Sequence, residues 1–302
     1  MADLLLRRIA RSVPLLLASC QLPGGPGAAG AAGPAAAPAA LHAEDRHWEA
    51  PDDPLVLARL EEWQDLKFGL LMHWGPDSQW GIVESWSSCG EDEGWCQRPF
   101  DDDYEEYRRR YEQLPATFDP RGFEPERWAV AARDAGMGYV VFTTKHHDGF
   151  SMFDTRLTDY RITGPGCAFA DDPRADVTRG IFDAFRAEGL WAGAYFSKPD
   201  WHHEGYWWRR FPTPDRNPNY DLAAHPERWE DYVRFTHGQI EELMTRYGRI
   251  DILWLDGGWV QAMSEEEVAA WRARPGWPKQ RVQSQDIRMD ELVAMARRHQ
   301  QA

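Results

Sequence analysis

Residues 139–149 read Tyr-Val-Val-Phe-Thr-Thr-Lys-His-His-Asp-Gly, an apolar run that passes straight into a cluster of titratable side chains. Near-continuous apolar runs of about five to seven residues suit a strand covered on both faces, as in a parallel sheet. Three other stretches share this construction. Phe68 to Met72 runs into His73, Trp74 and Gly75, Leu190 to Phe196 runs into Ser197, and Ile250 to Leu255 runs into Asp256, Gly257 and Gly258. Helical periodicity lies between them. Pro125 to Ala135 carries Trp128, Ala131, Ala132 and Ala135 and stops at Gly136. Asp176 to Glu188 stops at Gly189, and Pro226 to Tyr247 carries Trp229, Val233, Ile240, Leu243 and Met244 and stops at Gly248. Glycine just past a helix is a common C-cap because it adopts the left-handed conformation freely. Strand–helix–strand alternation of this kind predicts βαβ units and an α/β fold.

Every polar cluster falls at the C-terminal end of its strand. Active sites are built there in (β/α)8 barrels, and ligands bind there in open doubly wound sheets. No Gly-x-Gly-x-x-Gly follows the first strand, and no Walker loop is present. A weak fifth strand is expected at Gln280–Gln283, and one more helix over 287–299 with Ile287, Leu292, Val293 and Met295 apolar. A complete barrel needs eight strands, so the chain is expected to hold part of one.

Composition narrows the function. The 302 residues include 34 Lys+Arg and 49 Asp+Glu, for a formal charge of −15. That excludes a general binder of phosphate backbones, which needs a basic face to release counterions, so no nucleic-acid partner is expected. With a mean hydropathy of −0.64 and no apolar run of about 18 residues, no membrane-spanning helix is expected. Sixteen tryptophans are present; their faces suit packing in core and loops, and also stacking on sugar rings. Cys89 and Cys96 share a short acidic loop and are expected either as a loop disulfide, if the protein is exported, or as free thiols. Residues 1–20, with Arg7, Arg8 and Arg11 ahead of the apolar Val13 to Ala18, look like an export signal. Leu17-Ala18-Ser19-Cys20 also resembles a bacterial lipobox, so a membrane tether through a lipidated Cys20 is one expected outcome of export. Residues 28–40 contain only Ala, Gly and Pro, a composition with nothing to bury, and read as a spacer. The folded domain is accordingly expected over 44–302, behind a signal and linker at 1–43.

Chemistry concentrates at four places. Asp256, directly after a buried strand and ahead of two glycines, suits a glycosidase nucleophile; it equally suits an N-cap for the next helix. His146 and His147 can turn into one pocket at a strand end, where they would bind sugar hydroxyls, bind a metal or serve structure. Together with His202 and His203 they leave a metallohydrolase open, although the His-x-x-x-His spacing of a helical zinc site is absent. His73 reads as a structural hydrogen-bonder or a ligand, and Glu84 as a solvated loop acid.

In combination, LKFGLLMHWG (66–75), VESW (83–86), FDPRGFEPERWAVAARDAGMGYVVFTTKHHDGF (118–150), TDY (158–160), DWHH (200–203) and YGRIDILWLDGG (247–258) resemble the α-L-fucosidases of glycoside hydrolase family 29. The resemblance implies a TIM-like (β/α)8 catalytic barrel, incomplete in this chain, and a retaining mechanism without metal or cofactor on a fucosylated glycan. It implies Asp256 as nucleophile, with His73, Glu84, Trp86, His146, His147, Tyr195 and Trp254 binding the sugar. Glu84 and Trp86 match more loosely, because a serine separates them here. The family's acid/base Glu comes from a segment after the Met-Ala-Arg-Arg-His helix, and no residue of this chain takes that role. A truncated product is therefore expected, with a non-catalytic sugar-binding remnant as the alternative. Retention needs two carboxyl groups about 5–5.5 Å apart, one attacking and one exchanging protons.

Overall fold

The computed structural model describes residues 52–90, 96, 98–100, 103–274 and 281–300. The signal, lipobox and spacer, Cys20 included, lie outside the described residues. Four strands form in the four apolar runs: β1 (Leu70–Met72), β2 (Tyr139–Lys145), β3 (Trp191–Ser197) and β4 (Ile252–Asp256). The helices are α1 (Pro54–Leu66), α2 (Tyr104–Glu112), α3 (Pro125–Asp134), α4 (Val177–Ala187), α5 (Pro226–Arg246), α6 (Glu265–Arg272) and α7 (Met289–His299). The periodic stretches became α3, α4, α5 and α7. The helices α1, α2 and α6 carry side-chain caps: Asp53 accepts from Leu55 N, Asp103 from Glu106 N, and Ser264 forms a capping box with Glu267.

All neighbouring strands are parallel, and they lie in the order β1-β2-β3-β4. Strand order never reverses among the described residues, so the switch point that defines a doubly wound sheet is missing. Winding is one-sided. Leu70, Met72, Val140, Phe142, Ala192, Ala194, Phe196, Leu253 and Leu255 all join a single core with Ala129 and Ala132 of α3, Ile181 and Phe185 of α4, Ile240 and Leu243 of α5, and Leu292 of α7. Side chains alternate faces along a strand. The opposite face therefore carries Leu71, Val141, Thr143, Tyr195, Trp254 and Asp256. On that face the two outer strands remain open to solvent, with Leu71 48% and Trp254 45% exposed.

Residues 281–283, the described part of the expected fifth strand, form no strand. Their hydrogen bonds go elsewhere. The Val282 carbonyl accepts from Arg272, while the Gln283 amide accepts from Leu222 N and donates to Tyr220 O. Of these, the Val282 carbonyl is a backbone group that a ladder would use, whereas the Gln283 bonds are made by its side chain.

Phe182 on α4 is fully buried in the shared core. Phe182→Ala should lower the unfolding free energy by about 3–5 kcal/mol through lost burial and a residual cavity. Urea denaturation measures this; a loss under about 1 kcal/mol would mean that the helix layer is not packed as described.

Candidate active site

Asp256 ends β4 and faces Ser197 in the register with β3. Its side chain is 38% exposed. The chain turns away at once through Gly257, where φ is +85° and a Cβ would sit 2.3 Å from Pro199 Cδ, so only glycine fits. Helix α6 starts under Ser264, which removes the N-cap alternative for Asp256. The Tyr195 hydroxyl donates to Asp256 Oδ2 at 2.5 Å and also lies 3.1 Å from Ser197 Oγ. Burial, then the Asp256 charge, push the Tyr195 phenol up, so it stays a donor. One carboxylate oxygen is thus held while the other is left to a ligand.

The end of β2 supplies the imidazoles. His147 is fully buried with Nε2 3.5 Å from Asp256 Oδ2, and neither ring nitrogen has a hydrogen-bond partner among the described residues. Burial, then the neighbouring His146, lower its pKa well below the ordinary value, so it is neutral. Its ring lies 4.3 Å from that of His146, which stacks on Tyr195 at 5.6 Å. His146 Nε2 reaches Glu84 Oε2 at 3.0 Å, and its Nδ1 meets Ser85 Oγ. A carboxylate only accepts, so Nε2 carries the proton and Nδ1 accepts from the serine. His73 from the end of β1 packs edge-on to Tyr195 at 4.7 Å, with Nε2 3.7 Å from Glu84 Oε1. Thr143 donates to Met72 O and so accepts from His73 Nδ1 at 2.8 Å.

Glu84 is held at φ +49°, a left-handed conformation that costs a non-glycine residue about 1–2 kcal/mol. Such strain recurs where a side chain must be aimed. The hydrogen bond from His146 brings its pKa below the ordinary value against the upward push of burial. Trp86 closes this side, edge-on to His147 at 5.1 Å.

Behind these groups lies a supporting layer. Lys145 Nζ donates to Asp200 Oδ2 at 3.0 Å, with both side chains essentially sealed from solvent. Asp200 Oδ1 accepts from the backbone of His202 and His203. Buried Asp148 accepts from the Tyr111 hydroxyl at 2.8 Å. Asp77 lines the same small cavity as Asp148, His146 and Glu84, and burial, reinforced by Asp148, raises its pKa to about 7.

Of the residues expected from the sequence, Asp256, Tyr195, His147, His146, His73, Glu84 and Trp86 form one contiguous cluster. Trp254 makes no ring contact with them among the described residues; it stands exposed on the open face of β4. The four-histidine metal set is not assembled. Among the described residues His202 stacks on Tyr160 at 4.0 Å and His203 lies tilted against Phe235 at 4.3 Å, with Asp200 accepting from both backbone N–H groups. The groups whose donor atoms could share a cation are instead His73, Glu84 and His146, or His146, His147 and Asp256. Cys89 and Cys96 are both buried. Sequence reasoning passed over Asp77, Ser85, Lys145, Asp148 and Asp200. Lys145 and Asp148 flank the histidine doublet and were the legible pair; Asp77 and Ser85 carry no local signal.

Residues 35–302 match the family model described as Alpha-L-fucosidase. A tissue alpha-L-fucosidase of Homo sapiens is 29% identical over 231 residues, 74% of this chain and 45% of that protein. The alpha-L-fucosidase 1 of Arabidopsis thaliana is 25% identical over 208 residues, 68% of this chain and 31% of that protein. Among solved structures, alpha-L-fucosidase isoenzyme 1 from Paenibacillus thiaminolyticus superposes with a TM-score of 0.55 at 33% identity, covering 82% of this chain and 49% of that one. The chain thus spans less than half the length of these relatives.

Two outcomes follow from the supporting layer. Asp200→Ala leaves a buried ammonium without its partner and should cost about 3–5 kcal/mol in urea unfolding, whereas Lys145→Met with Asp200→Leu recovers much of that loss. Failure of the double variant to recover would locate the cost outside the ion pair. Asp77 binds its proton more tightly folded, at about 7, than unfolded, at 3.8. Its contribution is present below the unfolded value and disappears as pH rises through the folded one. Asp77→Asn should therefore gain on the wild type as pH rises from about 4 to about 7.5; a pH-independent difference would contradict the buried acid.

Proposed function

Because this chain belongs to the alpha-L-fucosidase family, we propose that it carries the nucleophilic half of a retaining glycoside hydrolase that releases terminal α-L-fucose from a fucosylated glycan. One observation carries the proposal: a solvent-accessible carboxylate, Asp256, has one oxygen held by a Tyr195 hydrogen bond and lies beside a buried imidazole, His147, whose nitrogens lack partners. Unpaired buried polar atoms are costly, so a site that leaves them waits for a polyhydroxylated ligand. Asp256 Oδ1 attacks C1 of the sugar, and the glycosidic oxygen leaves with the bonding electron pair. Water then hydrolyses the glycosyl ester, returning the carboxylate with net retention. His147, His146, His73 and Glu84 hold the ring hydroxyls, and Trp86 and Trp254 supply apolar faces. Fucose lacks a 6-hydroxyl, so such a face must meet its methyl group.

Within the same proposal the four sequentially ordered strands are part of a (β/α)8 barrel, supported by their one-sided winding and by the position of His73, His146, His147 and Asp256 at the C-terminal ends of strands. The basic and apolar start of the sequence supports export to the periplasm or cell surface, with a lipidated Cys20 as the tether.

No acid/base carboxylate is assigned in this chain, so the test uses an aryl fucoside whose leaving group needs little protonation. Rapid mixing with this substrate should give a burst of aryl alcohol near one equivalent per chain, absent in Asp256→Ala. Fucose binding without a burst would make the chain a sugar-binding remnant. Neither binding nor burst would remove the fucose assignment altogether.

A further inference from the structure

Lys198, the residue after β3, grips the chain that leaves Asp256 at two points. Its backbone N–H donates to the Asp256 carbonyl at 3.0 Å, and its Nζ donates to the Val260 carbonyl at 2.9 Å. Its own carbonyl accepts from the hydroxyl of Tyr232, a fully buried residue of α5. One side chain and its backbone therefore tie both ends of residues 256–260 to a helix that does not move with them.

The gripped segment has no regular structure. From Asp256 it passes through Gly257, left-handed at φ +85°, into a turn in which Val260 N donates to Gly257 O at 2.9 Å. Helix α6 begins only at Glu265. Trp259 lies inside this turn, and its ring is 5.3 Å from that of His147. A shift of the turn would thus reach the carboxylate and the buried imidazole together.

An ammonium is a costly way to hold one carbonyl. Lys198 is buried, and of its three N–H groups one has an acceptor among the described residues. Removing such a charge from water is unfavourable unless an opposite charge is close. Burial lowers the Lys198 pKa and the Asp256 charge opposes that fall, which places the ammonium in the field of the carboxylate. A cation there favours the ionised, attacking form of Asp256 as well as fixing the turn.

We propose that Lys198 is a positioning residue for Asp256: it fixes the turn after β4, and with it the direction of the carboxylate, without touching the sugar. This deepens the reading of Asp256 as nucleophile and rests on it. The sugar hydroxyls fall instead to His73, Glu84 and His146, none of which bonds Lys198 among the described residues.

The test compares the full chain as wild type, Lys198→Met and Lys198→Gln, by rapid mixing with an aryl fucoside and by calorimetric titration with L-fucose. Methionine fills the space of the stem without a donor. Glutamine keeps a donor on a stem one bond shorter, too short to span to the Val260 carbonyl. Misplacing a reacting group by about 1 Å can cost about 100-fold, so the burst rate constant should fall at least about tenfold in Lys198→Met. Fucose affinity should stay within about twofold, because the lost interaction is not one with the bound sugar. Burst amplitude counts the competent chains. A role confined to stability would lower the amplitude and leave the rate constant unchanged, and that result overturns the proposal. A loss of affinity as large as the loss of rate also overturns it, since the whole pocket would then be damaged. If Lys198→Met does not fold, Lys198→Gln is read in the same way, and an unchanged rate constant there is equally fatal. Failure of both variants to fold makes Lys198 a structural anchor and overturns the positioning role. Absence of a burst in the wild type is a different failure: it removes Asp256 as nucleophile, and the proposal with it.

Discussion

An ion pair sealed from water organises the ends of two strands. Taking Lys145 and Asp200 out of solvent costs several kcal/mol per ion, which is recovered only if their geometry and remaining hydrogen bonds are complete. Here they are. Asp200 meets Lys145 with one oxygen and the backbone of His202 and His203 with the other. Gly149 is glycine because a Cβ would fall 2.2 Å from Asp200 Oδ1. With the loop after β3 locked against the end of β2, Trp201 N donates to the carbonyl of His147 at 2.7 Å. That bond, not the imidazole, is what the histidine doublet hangs from. His147 can therefore face the pocket with its ring nitrogens unbonded among the described residues, while the His146 ring is held by Glu84 and Ser85.

The sheet was legible because each strand is an uninterrupted apolar run, although only β2 and β3 are buried on both faces. Tyr139 to Thr143 and Ile250 to Leu255 were read as strands, and their titratable ends were read as one rim. What periodicity could not convey was everything held by hydrogen bonding across long sequence separations. Gln280 to Gln283 looks like a strand by composition, yet in its described part the Val282 carbonyl accepts from Arg272 and the Gln283 side chain bonds the backbone of Leu222 and Tyr220. The helices α1, α2 and α6 were missed for want of an apolar stripe, although Ser264 and Glu267 spelled out a capping box. His202 and His203 imitate the His146–His147 doublet, and what distinguishes them is their backbone bonds to Asp200 and their packing beside Tyr160 and Phe235, ring partners that are distant in sequence.

The tryptophans divide by neighbourhood. Trp74 and Trp128 belong to the helix–sheet core. Trp201 and Trp207 stack at 5.0 Å in a separate aromatic cluster with Tyr206, Tyr232 and Val260, next to Cys89. Trp86 and Trp259 pack against that cluster while touching His147. Aromatic pairs gain from edge-to-face and offset contact beyond simple burial, so this cluster anchors loops that have no secondary structure of their own. An abundance of indole was thus largely packing, with Trp86 and Trp259 at the border of the cluster beside His147.

Proton placement around His73 and His146 has a consequence for ligands. Thr143 fixes the proton of His73 on Nδ1, leaving Nε2 as an acceptor, while Ser85 and Glu84 fix the proton of His146 on Nε2. Of these two imidazoles, about 5.5 Å apart, His73 keeps a lone pair at Nε2, whereas the N–H of His146 is taken up by Glu84. A hydroxyl that meets the His73 lone pair can do so only as a donor. Hydrogen-bond sense at that position is therefore set by Thr143, two strands away from the carboxylate of Asp256.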